Sequence, residues 1–280
     1  LQKAATVMVL ADEAHLQLPV DSDGGLNQAA LDAALADLRR DGRCCLAVVA
    51  TAGTTVRGAV DPLNGIASLC RREGVRLHVD AAIGGVFALW EPLASLMKGL
   101  HQADSITLNP QKLLGITKTS SMLLLRDRSK LRQAFSTGLP YMESPCGDDH
   151  GGEVGLQGTR PAEVLKLWLG LRQLGIDGIG SVLESALERK AMLKQLLPED
   201  RLLLMDGGLH LLALRPRQDD PAVSARWTEQ TRQLLMRQGF LLSRPRYDGH
   251  HWLKVVLGNP HTTSSHLQQL AGLIRQQLTD

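Results

Sequence analysis

Residues 75–82 read VRLHVDAA, and residues 103–112 read ADSITLNPQK. In the first stretch a short apolar run ends on an acid, Asp80, followed by the small residues Ala81 and Ala82. In the second, the run DSITL ends in an X-Pro turn that carries Lys112. Working outward, residues 46–50 (LAVVA) form a continuous apolar run closed by TAGTT, which predicts a strand buried on both faces of a parallel sheet. Asp61 and Pro62 supply an N-cap and a proline for the first turn of a helix that Gly74 closes. Residues 27–40 place Leu31, Leu35 and Leu38 on one face, the pattern of an amphipathic helix. Further strands are expected at 75–79, 104–108 and 120–125. Strand and helix alternating in this way predict an α/β layer with right-handed crossovers.

The texture changes after Arg126. Residues 136–161 are rich in Gly, Pro, Ser and Thr without periodicity, and they read as one long loop. A helical stretch follows from about 162 to 196, with a break expected between 175 and 180. Beyond it come strands at 202–205 and 209–214, a helix at 221–238, strands near 240–243 and 252–257, and a helix at 263–278. Strands on one side and helices on the other predict a small α+β domain. The expected division is therefore 1–165, a connecting helical region 166–198, and 199–280. Internal repeats and low-complexity tracts are absent from the sequence.

Of the 280 residues, 44% are hydrophobic and 21% charged, which excludes a disordered chain and permits a buried core. Thirty-one basic residues against 29 acidic ones leave a net charge of +2, and aromatics make up 3%, so nucleic acid is not an expected partner. No apolar run reaches the roughly 20 residues of a membrane span, and no membrane role is expected. Cys44, Cys45, Cys70 and Cys146 form no CxxC pair and have no histidine at zinc spacing. That pattern predicts a reducing, cytoplasmic setting and no metal site. The first residue is Leu1, and the chain is expected to be part of a longer one.

Asp80 stands at the carboxyl end of a strand, where ligands of open α/β sheets bind. Its bland alternative is a cap for the segment that follows. Lys112 stands at the end of the next strand, between the X-Pro turn and Leu113-Leu114, which are expected to desolvate it in part and so favour a nucleophilic amine. An aspartate and a lysine at neighbouring strand ends are the two groups that pyridoxal phosphate requires. The lysine holds the aldehyde, and the aspartate keeps the pyridine nitrogen protonated.

TAGTTVRGAVDP, LHVDAA and ADSITLNPQK, in that order and spacing, resemble the group II pyridoxal-phosphate-dependent amino-acid decarboxylases. The resemblance continues through LQGTRPAEVLKLW and WLKVVLGNP to cover essentially the whole chain. It implies a fold-type-I enzyme: part of a mostly parallel large-domain sheet, plus the small α+β domain. Residue by residue, it implies that Lys112 is the Schiff-base lysine and Asp80 the pyridine-nitrogen partner. Ala82 would lie against the ring face, Thr55 beside cofactor or substrate, and Asn109 at the cofactor phosphate. Gln111 stands where the family usually has histidine; it can donate a hydrogen bond but cannot carry charge. Tyr141 matches the tyrosine that protonates the substrate carbon after carbon dioxide leaves. Lys254 replaces an arginine near the substrate of the glutamate-type enzymes, keeping the charge and losing the planar fork. Arg160 reads as a salt bridge positioning the loop. His78 reads as a packed strand residue, and His250-His251 as a loop before a strand.

The activity so implied is decarboxylation of an L-amino acid to its amine, in a homodimer with small-molecule substrates. The resemblance also places a phosphate cradle and a ring-stacking histidine before Leu1, so that the sheet of this chain would have open edges. The alternatives are an inactive truncated paralogue acting as a subunit partner, or another fold-type-I enzyme such as an aminotransferase.

Overall fold

The computed structural model describes residues 1–116, 121–139, 151–159 and 161–278. The chain opens with a short helix, α1 (Gln2–Val7), and then α2 (Gln28–Arg40). Asn27 fixes the start of α2: its side-chain oxygen accepts the Ala30 N–H at 2.7 Å. β1 (Ala47–Thr51), α3 (Leu63–Glu73) and β2 (Arg76–Asp80) form a parallel β-α-β unit. Gly74 ends α3 in the left-handed conformation (φ 66°), as its position after the last apolar residue predicts. After α4 (Glu91–Ala94) come β3 (Ser105–Leu108), the one-turn helix α5 (Pro110–Leu113) and β4 (Met122–Leu125). The sheet order is β1-β2-β3-β4, parallel across the first three strands and antiparallel at the last. In this register Thr51, Asp80 and Thr107 stand side by side.

One face of the sheet is a core. Val48, Ala50, Leu77, Val79 and Leu108 are buried in one cluster with Leu63, Ile66, Ala67 and Cys70 of α3. Burial of each large aliphatic side chain there contributes about 1.5–3 kcal/mol. The opposite face is open: Val49, His78, Ser105 and Thr107 are half-buried, and Leu123 is 54% exposed. The expectation that residues 46–50 are buried on both faces is therefore corrected. β1 alternates between buried and accessible positions and forms an edge of the sheet. A run apolar at every position shows what could be buried, not what covers it.

The second part is built after α6 (Ser129–Phe135) and the long helix α7 (Val164–Leu196). Gly175 interrupts α7 at φ 62° and ψ −179°, within the expected break. α7 leads from the first core, through Leu183 and Ala186, into a second one through Leu193. There β5 (Leu202–Met205), β6 (Leu211–Pro216) and β9 (Leu253–Val256) form an antiparallel sheet in the order β5-β6-β9. α8 (Pro221–Arg237) precedes, and α9 (Ser264–Gln276) follows, the small hairpin and last strand. Asp220 caps α8 and Thr263 caps α9, the latter in a reciprocal capping box with His266.

Two details differ from expectation here. Residues 240–243 form no strand; Ser243 contributes a single bridge to Lys254. Leu242 is buried in the second core while Leu241 is 79% exposed, so packing rather than a strand ladder holds the segment beside β9. The pair His250-His251 is itself β8 (His250–His251), paired with β7 (Arg246–Tyr247) across a turn at Asp248-Gly249. Within the expected loop 136–161, the described residues contain a 3-10 turn, Gly151–Val154.

Candidate active site

Hydrogen bonds between the parallel strands continue past their ends. Ala52 N–H donates to the Asp80 carbonyl and Ala81 N–H to the Thr107 carbonyl, both at 2.9 Å. The segments leaving β1, β2 and β3 thus begin next to one another at the carboxyl edge of the sheet. The loops after β1 and β2 also touch by backbone. Gly84 N–H donates to the Ala52 carbonyl at 2.9 Å, and a Cβ on Gly84 would lie 2.5 Å from that oxygen. Only glycine permits this approach.

Asp80 is exposed, and one of its carboxylate oxygens accepts the Ala82 N–H at 3.1 Å. That bond ties the carboxylate to the turn at 82–84, the local cap named above as the alternative, while the helical turn itself starts at Gly85 with Gly84 before it. The second Asp80 oxygen has no partner among the described residues. Ala82 is half-buried beside it. Of the three threonines in TAGTT, Thr51 ends β1 and the other two divide the work. Thr54 Oγ1 accepts the Ala59 N–H at 3.0 Å and the Thr54 carbonyl accepts Gly58 N–H at 2.8 Å, which shapes the turn. Thr55 is left exposed.

Beyond β3, the Asn109 carbonyl accepts the Lys112 N–H at 3.1 Å, and its side-chain oxygen takes the Ser121 hydroxyl at 2.9 Å. Among the described residues the Asn109 amide NH₂ has no partner. Gln111 is half-buried, and its Oε1 is fully enclosed with no hydrogen-bond partner. Leu113 and Leu114 are buried, but Lys112 is exposed. The expectation that they desolvate its amine is corrected: the short helix α5 turns the leucines inward and the lysine out. Among the described residues the Lys112 amine has neither hydrogen-bond nor ion-pair partner. Lys254, on β9, is half-buried; burial lowers its pKa and the Lys112 charge lowers it further. Tyr141 and Arg160 lie outside the described residues.

Two residues read from the sequence make contacts that the reading did not foresee. His78 is held between two hydroxyls of β3, its Nδ1 2.8 Å from Ser105 Oγ and its Nε2 3.3 Å from Thr107 Oγ1. Burial lowers its pKa, against the raising effect of Asp80. The spacing of Ser105 and Thr107, two apart on the strand after His78, was the available signal. Asp61, expected to cap α3, instead accepts backbone N–H groups from Thr51 at 2.6 Å and Leu26 at 2.8 Å. No local pattern reveals those distant partners. Among the described residues no group of three or more His, Cys, Asp or Glu side chains is placed to hold a metal ion. No described helix is long and apolar enough to cross a membrane.

Comparison with known proteins places the chain in a family. A family model described as "Pyridoxal-dependent decarboxylase conserved domain" matches residues 1–205. The chain is 33% identical over 271 residues to the L-2,4-diaminobutyrate decarboxylase of Rhizobium meliloti (strain 1021), covering 94% of this chain and 54% of that protein. It is 34% identical over 192 residues to the cysteine sulfinic acid decarboxylase of Homo sapiens, covering 66% and 39% respectively. The crystal structure of mouse CSAD in apo form superposes with a TM-score of 0.89 at 26% identity, over 100% of this chain and 61% of that one. The chain thus spans about half the length of the diaminobutyrate enzyme.

Proposed function

Since the chain belongs to the pyridoxal-dependent decarboxylase family, we propose that it carries the lysine and aspartate of a pyridoxal-phosphate site that decarboxylates an L-amino acid. The observation that carries this reading is the pairing of Asp80 and Lys112. They stand beyond two adjacent parallel strands, both exposed, each with a charged atom that no described residue engages. The donor set fits the cofactor. Asp80 offers a carboxylate oxygen to a ring nitrogen, and Lys112 an amine to an aldehyde. Asn109 retains an NH₂ for phosphate. The Gln111 oxygen is enclosed, and the end of its amide that is not shut off is the NH₂, a further donor for phosphate.

Bound pyridoxal phosphate supplies the electron sink that makes loss of carbon dioxide feasible. The residues supply placement and charge. Asp80 as carboxylate keeps a proton on the ring nitrogen, which a neutral amide could not do. Thr55, on the loop after β1, and Ala82, two residues after Asp80, are proposed to flank the cofactor, the first polar and the second small enough to lie against a flat ring. Lys254 adds a second positive charge near Lys112 that favours a substrate carboxylate. Tyr141 is proposed, on sequence resemblance alone, as the donor of the proton to the substrate α-carbon. A homodimer in the cytoplasm completes the reading; the cysteine pattern supports the compartment.

Asp80→Asn tests this. Amine formation from amino acids should fall by more than about 100-fold and cofactor binding should weaken, because the ring proton loses its counter-charge. Retention of activity within about tenfold of the unsubstituted protein would refute the role given to Asp80.

A further inference from the structure

The turn between β5 and β6, residues 206–210, lies across the two loops that carry Thr55 and Asp80. Leu209 is fully buried, and its Cδ1 lies 3.0 Å from where a Cβ would project from Gly53 and from Gly84. It is wedged between the loop after β1 and the segment after β2. His210 stacks on Phe87, with ring centroids 6.1 Å apart. A Cβ on Gly207 would come within 2.2 Å of the Ala59 nitrogen.

Arg57, two residues after Thr55, ties these parts together. Its carbonyl accepts the Gly207 N–H at 2.8 Å. Its guanidinium donates to the Ser22 carbonyl at 3.2 Å and to the Asp206 carbonyl at 3.4 Å. Asp206 is itself anchored, because its carboxylate takes Lys190 at 2.7 Å and Lys194 at 3.0 Å from α7, and the Gly208 N–H at 2.9 Å. A planar fork can reach two carbonyls in different segments at once, whereas an ammonium is a single point donor group.

We propose that Arg57 is a positioning residue: it fixes the 53–59 loop against the β5–β6 turn, and so sets where Thr55 stands relative to Asp80. The importance of that placement for cofactor binding rests on the function proposed above; the fixing of the loop does not.

Amide hydrogen exchange with Arg57→Ala, Arg57→Lys and Gly207→Ala decides the matter. Arg57→Ala should speed exchange across residues 53–59 by about tenfold while leaving 76–80 unchanged, the scale expected for one or two lost hydrogen bonds. Arg57→Lys should fall between Ala and the unsubstituted protein. Gly207→Ala, which pushes the turn off the loop, should reproduce the local pattern with Arg57 intact. In cofactor titrations, Arg57→Ala should raise the Kd for pyridoxal phosphate by about tenfold, with part of the affinity regained in Arg57→Lys. Unchanged exchange at 53–59 would overturn the proposal, as would a uniform rise along the whole chain in Arg57→Lys and Gly207→Ala. If the unsubstituted protein takes up no pyridoxal phosphate, the decarboxylase reading fails, and the exchange pattern still decides the role of Arg57.

Discussion

Lys254 on β9 feels the charge of Lys112 on α5, so a strand of the second sheet brings a like charge to the carboxyl edge of the first. Burial and the Lys112 ammonium both disfavour the protonated amine of Lys254 and lower its pKa below the ordinary 10.5. Lys112→Ala should therefore raise the Lys254 pKa, measurable by NMR of labelled lysine side chains. An unchanged or lower value would show that the two amines do not interact. The sign for stability follows. Between the depressed folded value and 10.5 the unfolded chain binds more protons, so this residue makes stability rise with pH across that window.

His210 contributes on the acid side. It is 2% exposed, and burial, with the charges of Lys190 and Arg189, pushes its pKa down from 6.5 to about 4. Between those values the unfolded chain takes a proton that the folded chain refuses. Stability contributed by the neutral ring is full above 6.5 and is lost as pH falls toward 4. Urea unfolding should show a loss between pH 7 and about pH 4.5 that His210→Phe reduces by about 2–3 kcal/mol, the rest coming from other groups of lowered pKa such as His78 and Asp206. An identical pH dependence in the variant would remove His210 from this role.

Asp61 is a structural acid whose two backbone partners come from separate segments. Asp61→Ala strands the Leu26 and Thr51 N–H groups and should cost about 2–4 kcal/mol of unfolding free energy. Asp61→Asn keeps one acceptor oxygen and should lose roughly half as much. A cost of less than about 0.5 kcal/mol for Asp61→Ala would show that water replaces the carboxylate freely.

These residues mark what was legible in the sequence. Helix limits were: the expected bounds 27–40, 221–238 and 263–278 lie within two residues of α2, α8 and α9, and Gly74 ends α3 as expected. The strand-end positions of Asp80 and Lys112 were legible too, since a short apolar run followed by polar residues fixes where a strand stops. The open face bearing Val49 and His78 was not, because an apolar run carries no record of what lies above it. Nor were the long-range ties of Asp61 and Arg57, whose partners are backbone groups that every residue type presents. Lys112 was misjudged in exposure because the one turn of α5 separates it from its buried neighbours.

Reductive trapping tests the central claim most directly. The purified protein, incubated with pyridoxal phosphate, reduced with borohydride and mapped by peptide mass spectrometry, should carry the pyridoxyl label on Lys112. A label on Lys254 or any other lysine, with Lys112 unmodified, would contradict the site built here on Asp80 and Lys112.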